Sequence, residues 1–401
     1  MNRKTITGIF LLSLVLRLGL LYFFDGTKQV EQMDAKDYEA IAQNLIGGRG
    51  FINISDSPTM SRPPVYPVFL AGVYYVFGSR ESVVKVFQCV LDSVTVLLAA
   101  YIALLCLNPA AALLTGFIAA LYPPLIIYSN IKLGETVFTF FLVLSCLLLI
   151  KSFKSGEAKL FSWAGIAHGL ATLTRSTTLF FPFFLLPLFF LNAYKKFALK
   201  GLIIFFAAGF AVISVWTIRN YAVFGELLPV NTGGGYLLWF AIQEDAWQGD
   251  KLVELSPYRE FEDIKGMSWV KWDKLLTKRV VKYALAHPLD YSRKTAVNFA
   301  KLWYLPVGKV ILAGKFRLAA DIYQAVFIIF LLTAAAGLYF ALAHKKDVLI
   351  PLLYLIYLSV MHSVVLPVPR YRLPFEPLVL MFAAYGLLSF YRNFKNKPAV
   401  K

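Results

Sequence analysis

Charge is what this chain has least of. Lys, Arg, Asp and Glu make up 16% of its 401 residues, against roughly a quarter in soluble domains. With 59% apolar residues and a mean hydropathy of +0.65, a water-soluble fold has nowhere to bury so much Phe, Leu, Ile and Val. Cysteine is scarce too. Cys89, Cys106 and Cys146 each lie inside an apolar run, without the paired spacing of a zinc site or disulfide framework. No Walker-type or other nucleotide-cradling loop occurs, and Gly233-Gly234-Gly235, the one run of three glycines, reads as a loop. Chemistry driven by a bound nucleotide is therefore not expected. No internal repeat, coiled-coil heptad or low-complexity run occurs either, which excludes the repeat architectures.

What the chain does have is long apolar runs, at about 6–24, 84–106, 110–128, 135–151, 160–174, 177–193, 201–218, 319–343, 348–366 and 374–391. A run of about 20 residues at ~1.5 Å each crosses a ~30 Å hydrocarbon core. The expected fold class is an all-α polytopic membrane protein with about ten transmembrane helices and interfacial helices in the outer loops. Val65–Phe77 is apolar but only 13 residues long and rich in Pro and Tyr, the length of an interfacial helix.

Charge parity fixes the count. With Val65–Phe77 on the surface, residues 1–5, 151–159, 194–200, 344–347 and 392–401 share one side, with 14 Lys or Arg against two acids. Residues 25–83 fall on the other side, with five basic and seven acidic residues. The positive-inside rule then places both termini in the cytoplasm, in a multi-pass cytoplasmic (inner) membrane protein. The net charge of +17 traces largely to these short loops and does not call for nucleic acid. Thr5–Phe24 follows Arg3 and Lys4 like a signal peptide, but no small-residue cleavage site follows, so a retained helix is expected. Three regions result: a transmembrane catalytic module at 1–218, an outer loop region with amphipathic helices at 219–317, and C-terminal transmembrane helices at 318–401.

Ionisable residues collect at the outer ends of the spans. Tyr38, Ile41, Ala42 and Leu45 fall at i, i+3, i+4 and i+7, so a short amphipathic helix begins near Asp34 and Asp37. A carboxylate there serves either as a helix cap or as a general base above the membrane. Arg62 is followed by Pro63 and Pro64, which stiffen it at headgroup level; it suits a phosphate or an interfacial anchor. Glu135 opens a span at the positive end of its helix dipole. Arg175, Arg219, Arg370 and Arg372 stand at three further outer ends, against the orientation bias. Such a set fits an anionic lipid headgroup and acid–base work on it. Tyr236, Trp239, Trp247 and Trp269 offer sugar-stacking faces or interfacial anchors.

The ordered series Asp34-x-x-x-Tyr38, Arg62-Pro-Pro-x-Tyr66-Pro, Glu135-Thr136, Leu173-Thr174-Arg175, Trp216-x-x-Arg219-Asn220 and Arg370-Tyr371-Arg372-Leu373-Pro374 resembles the GT-C superfamily of membrane glycosyltransferases. It is most similar to the bacterial branch of the dolichyl-phosphate-mannose protein mannosyltransferase and lipid A aminoarabinose transferase group. The resemblance spans nearly the whole chain and implies the following. Asp34 is the catalytic base, with Asp37 beside it. Arg62, Arg175, Arg219, Arg370 and Arg372 hold the phosphate of a polyprenyl-phosphate sugar donor. Tyr38, Tyr66, Tyr371 and Asn220 line the substrate. Glu135 is the second acidic site, linked to a divalent metal in some members and not in others; no Asp-x-Asp stands there in this chain. The acceptor is a hydroxyl on a glycolipid, polymer or protein at the outer face, among membrane lipids. A transporter or flippase of a lipid-linked anionic substrate is the alternative class. It calls for ionisable residues near the midplane, often in two symmetric halves, and this chain shows no halves.

Two charges lie well inside spans. Arg17 sits about 16 Å above Ile6, or ~13 Å below the outer face of the core, and Asp92 lies ~12 Å below that face. Equal depth on consecutive antiparallel helices predicts a direct or water-bridged Arg17–Asp92 contact.

Overall fold

The structure is a computed structural model that describes residues 2–23, 33–243, 247–248, 251–252, 267–304, 317–365 and 367–395. The opening of the first long loop (24–32) and much of the second (244–246, 249–250, 253–266, 305–316) lie outside them. In chain order the helices are α1 (Arg3–Phe23), α2 (Met33–Ile46), α3 (Val65–Phe77), α4 (Glu81–Cys106), α5 (Pro109–Leu121), α6 (Pro123–Tyr128), α7 (Glu135–Ser155) and α8 (Ala158–Thr172). They continue as α9 (Asn192–Phe224), α10 (Gly234–Ala241), α11 (Trp269–Ala286), α12 (Pro288–Tyr304), α13 (Arg317–Ala343), α14 (Leu349–Val365) and α15 (Glu376–Lys395). A two-residue antiparallel pair, β1 (Trp247–Gln248) and β2 (Lys251–Leu252), interrupts this all-α architecture.

Among the described residues, six helices are long and apolar enough to cross a bilayer, in α1, α4, α7, α9, α13 and the segment ending in α15, with shorter apolar helices beside them. Their burial sorts them. The apolar windows of the α15 segment and α7 are 83% and 72% buried, against 17% for α1 and 22% for α13, so α7 and α15 form the centre and α1 and α13 the flank.

Two expected spans take another form. The run at 177–193 is a 3-10 segment, Phe181–Phe190, after a short turn at Ser176–Thr178. Pro182 and Pro187 remove amide donors that an α-helix needs. The run at 110–128 breaks in two, because Tyr122 is extended (φ −73°, ψ 112°) and Pro123 restarts the chain as α6. α3 keeps its expected form. At 13 residues it is ~20 Å long, buries Tyr66, Leu70, Val73 and Tyr74 on one face and exposes Tyr75 and Val76 on the other. The backbone N–H of Val65 donates to Leu173 O at 3.0 Å, tying the start of α3 to the end of α8.

The intramembrane charges meet as expected. Arg17 Nε donates to Asp92 Oδ2 at 2.5 Å, and both residues are buried. Arg17 Nη1 also donates to Ser13 O and Ala120 O, each at 3.1 Å, so the pair is held by backbone as well as by charge. Cys89, Cys106 and Cys146 are buried and free.

Candidate active site

Asp34 lies in the first turn of α2, which begins at Met33, so it is a residue of the helix and not its cap. Its place still suits the helix dipole. Asp34 Oδ1 accepts from Arg62 Nη1 at 2.7 Å, and Oδ2 accepts from Arg370 Nη2 at 2.8 Å. Asp37, one turn on, shares that helix face. Its Oδ2 accepts from Arg62 Nε at 2.7 Å. The i, i+3 spacing thus sets two carboxylates on two edges of one guanidinium, the geometry a planar fork favours.

Arg370 stands on a 3-10 segment, Pro369–Phe375, that leads into α15. Its Nε lies 3.9 Å from Glu135 Oε1, and Arg175 Nη1 lies 3.2 Å from that same oxygen. Glu135 is buried at the start of α7. The Arg175 guanidinium covers the Tyr371 ring at 4.2 Å, and Arg370 lies 5.2 Å from that ring. The cluster therefore holds three carboxylates and three guanidiniums, contributed by α2, the loop before α3, α7, the loop after α8 and the segment before α15.

The aromatic residues pack around it. Arg62 lies 5.5 Å from the Tyr38 ring, and Tyr38 meets Tyr66 edge to face at 5.0 Å. The Tyr66 hydroxyl donates to Gln88 Oε1 at 2.8 Å, and Gln88 Nε2 donates to Ile131 O at 2.8 Å. Burial pushes the Tyr38 phenol up to about 12, so it stays a neutral donor. Burial also pushes the Asp34 carboxyl up, but the charges of Arg370 and Arg62 outweigh it and hold Asp34 below the usual carboxylate range.

Three expected site residues meet other partners. Arg219 Nη1 donates to Thr59 O at 2.9 Å, and its guanidinium sits among Phe51, Trp216 and Phe224. Asn220 Nδ2 donates to Leu228 O and Val230 O, bracing the turn after α9. Arg372 is buried and pairs with Glu376 at 2.8 Å. Of the four expected stacking rings, Tyr236 stacks on Trp239 and Trp269 on Trp272, while Trp247 lies in β1.

Sequence reading did not single out Gln88, Glu39 or Lys132. Lys132 Nζ bridges Glu39 at 3.0 Å and Glu81 at 3.2 Å, locking α2 and α4 to the loop before α7. A glutamine inside the apolar run 84–106 was the available signal.

Glu135 is the residue the resemblance offers for a metal. Among the described residues no group of three or more His, Cys, Asp or Glu comes together to hold one. Glu135 instead faces two guanidiniums, which repel a cation. These residues do not fit a divalent ion.

Residues 61–218 match the family model described as dolichyl-phosphate-mannose-protein mannosyltransferase. No curated protein sequence matches the chain. Among solved structures, the chain is similar to the oligosaccharyltransferase AglB of Archaeoglobus fulgidus in complex with an inhibitory peptide and a dolichol-phosphate. The TM-score is 0.58 at 15% identity, over 99% of this chain and 52% of that one. A complex of the Archaeoglobus fulgidus oligosaccharyltransferase with Zn and sulfate overlays at TM-score 0.59 and 14% identity, over 97% and 49%. ArnT from Cupriavidus metallidurans bound to undecaprenyl phosphate gives 0.44 at 12% identity, over 97% and 78%. The chain spans about half the length of the oligosaccharyltransferases. The fold is that of the GT-C membrane glycosyltransferases, as the sequence resemblance implies.

Proposed function

We propose that the chain is a membrane glycosyltransferase that moves a sugar from a polyprenyl-phosphate donor to an acceptor hydroxyl, at the outer face of the cytoplasmic membrane. The observation that carries this reading is the Asp34 carboxylate held between Arg62 and Arg370. A base and two phosphate-binding guanidiniums share one point, supplied by separate elements. The mannosyltransferase-family segment at 61–218 supports the reaction class.

The donor phosphate competes with Asp34 for Arg62 and Arg370. Asp37 keeps its hold on Arg62 Nε, so Arg62 turns toward the phosphate without leaving the site. Asp34, relieved of its counter-charges, accepts the proton of the acceptor hydroxyl. That oxygen attacks the anomeric carbon. The bond from that carbon to the phosphate oxygen breaks, and its electron pair leaves with the polyprenyl phosphate. Arg62, Arg370 and Arg175 stabilise the developing charge, as preorganised donors do. The neutral Tyr38 phenol donates to phosphate or sugar oxygens.

The test is transfer from a polyprenyl-phosphate sugar by purified protein. Asp34→Asn keeps the size of the side chain, and the rate should fall by the ~10²–10⁴-fold typical of a lost general base. Wild-type rates from Asp34→Asn would overturn the assignment.

A further inference from the structure

Besides the guanidiniums at Asp34, a second charged hold grips α2, and it lies on the other side of the helix. At about 100° per residue, Glu39 stands ~200° round from Asp37 and ~140° from Asp34. Glu39 Oε2 accepts from the Tyr74 hydroxyl at 2.6 Å and from Lys132 Nζ at 3.0 Å. Lys132 Nζ also meets Glu81 Oε2 at 3.2 Å, and Glu81 Oε1 pairs with Lys85 Nζ at 2.6 Å. The Lys132 side chain is 12% exposed, so these pairs are screened less than a bridge in open solvent.

Lys132 is itself firmly set, three residues before Glu135 in the loop between α6 and α7. The carbonyls of Ser129 and Ile131 accept from Gln88 Nε2 at 3.2 and 2.8 Å, and Gln88 is buried in α4. The N–H of Leu133 donates to Ile131 O at 2.8 Å, closing a three-residue turn around Lys132. The ammonium that reaches α2 and the carboxylate of Glu135 thus project from one short, pinned stretch of chain.

The two holds on α2 fare differently in the reaction. The donor phosphate draws Arg62 and Arg370 from Asp34, and Arg62 stays on Asp37 as it turns. Tied on that side alone, α2 would follow Arg62 and carry Asp34 with it. Asn44 and Asp37 bond the helix to Ile52 and Ile54 of the loop that follows it. Burial of Ile41 and Ala42 holds α2 down, but apolar contact is non-directional and sets no register. The Lys132–Glu39 pair involves neither guanidinium, so phosphate binding leaves it intact. Such a restraint matters, because a misplacement of ~1 Å can cost ~10²-fold in rate.

We propose that Lys132 is a positioning residue: through Glu39 it keeps α2, and so Asp34, in register with Glu135 while the donor phosphate occupies Arg62 and Arg370. This rests on the function proposed above and concerns the donor-bound state of that site. The test is amide hydrogen exchange over Met33–Ile46 in the full-length protein in lipid nanodiscs, with and without saturating polyprenyl phosphate. Wild type should keep its protection when the lipid binds. Lys132→Met should match wild type without the lipid and exchange several-fold faster with it. Its kcat should fall by about tenfold or more while KM for the donor stays near wild type, as lost orientation without lost binding requires. Lys132→Arg, which keeps the charge, should restore both. Glu39→Gln removes the pair from its other end and should behave as Lys132→Met does, so the test stands even where the lysine variant fails to fold.

Equal loosening with and without the lipid would make Lys132 a brace of the resting fold, and a raised KM with unchanged kcat would make it a donor contact. Either overturns the proposal, as does unaltered exchange and rate. A parallel arm titrates polyprenyl phosphate against Arg62→Ala. Lost affinity there, with no lipid-dependent loosening in Lys132→Met, sinks the positioning role alone. Unchanged affinity sinks the function beneath it.

Discussion

Arg62 is gripped by Asp34 and Asp37 at once, through different nitrogens, so its geometry matters as much as its charge. Arg62→Lys keeps the charge but loses the fork. It should weaken polyprenyl-phosphate binding by about tenfold or more, as losing a charge-assisted hydrogen bond of ~1.5–3 kcal/mol implies; a lipid titration reads this directly. Asp37→Asn, which leaves Asp34 in place, should be the milder of the two aspartate changes. The pH dependence follows from the Asp34 shift. A carboxyl held below its ordinary value near ~3.9 adds stability that is present above that value and is lost as pH falls through the lower, folded one. Wild type should therefore lose more stability than Asp34→Asn on acidification below about 4, measured as the midpoint of thermal unfolding in detergent. Much of this site was legible because charges at the edges of apolar runs stand out, and Asp34, Arg62, Glu135, Arg175 and Arg370 share that signal. Arg219 and Arg372 share it too, yet have other partners. Sequence gives the depth of a residue but not its direction. On a 3-10 segment, with about three residues per turn, Arg370 and Arg372 point to different sides.

Between elements, the two flanking helices are pinned to the bundle by different means. α1 is tied to α4 by Arg17 and Asp92, whose equal depth could be computed from span boundaries alone. Breaking such a buried pair from one side costs about 3–5 kcal/mol, while replacing both partners with apolar side chains is often neutral. Arg17→Met/Asp92→Leu should therefore be more stable than the worse single variant, and a double mutant no better than that variant would refute the pairing. α13 is held to α15 by close backbone approach. A Cβ on Gly337 would fall 1.8 Å from Phe382 O, and one on Gly386 2.2 Å from Thr333 O. Gly337→Leu should force the helices apart and lower the unfolding temperature, at an overpacking cost of ~1–3 kcal/mol or more; an unchanged midpoint would contradict the contact. The 3-10 form of Phe181–Phe190 was harder to read, because hydropathy counts carbon and ignores missing amide donors. Pro182 and Pro187 were the available cue.

At the scale of the whole molecule, the function proposed here needs the Asp34 cluster to face away from the cytoplasm, where lipid-linked sugars are used without nucleotides. The charge asymmetry of the loops is the argument for that orientation: 14 Lys or Arg against two acids on one side, and five against seven in the first loop of the other. The molecule lends itself to a direct test, because Cys89, Cys106 and Cys146 are all buried and give little background to a thiol reagent. Ser55 is exposed in the loop after α2, and Lys345 is exposed in the turn between α13 and α14. Ser55→Cys should react with a membrane-impermeant maleimide in intact spheroplasts, and Lys345→Cys only after lysis. Lys345 lies in a turn far along the chain, whereas Ser55 follows Ile54, whose N–H donates to Asp37 Oδ1 at 3.3 Å, so each variant is checked for transfer activity before labelling. The reverse pattern would place the site in the cytoplasm and remove the outer-face reaction. Labelling of both positions from one side would break the ten-span parity, since that count sets an odd number of crossings between the loop at Ser55 and the turn at Lys345, and only an even number leaves them on the same side.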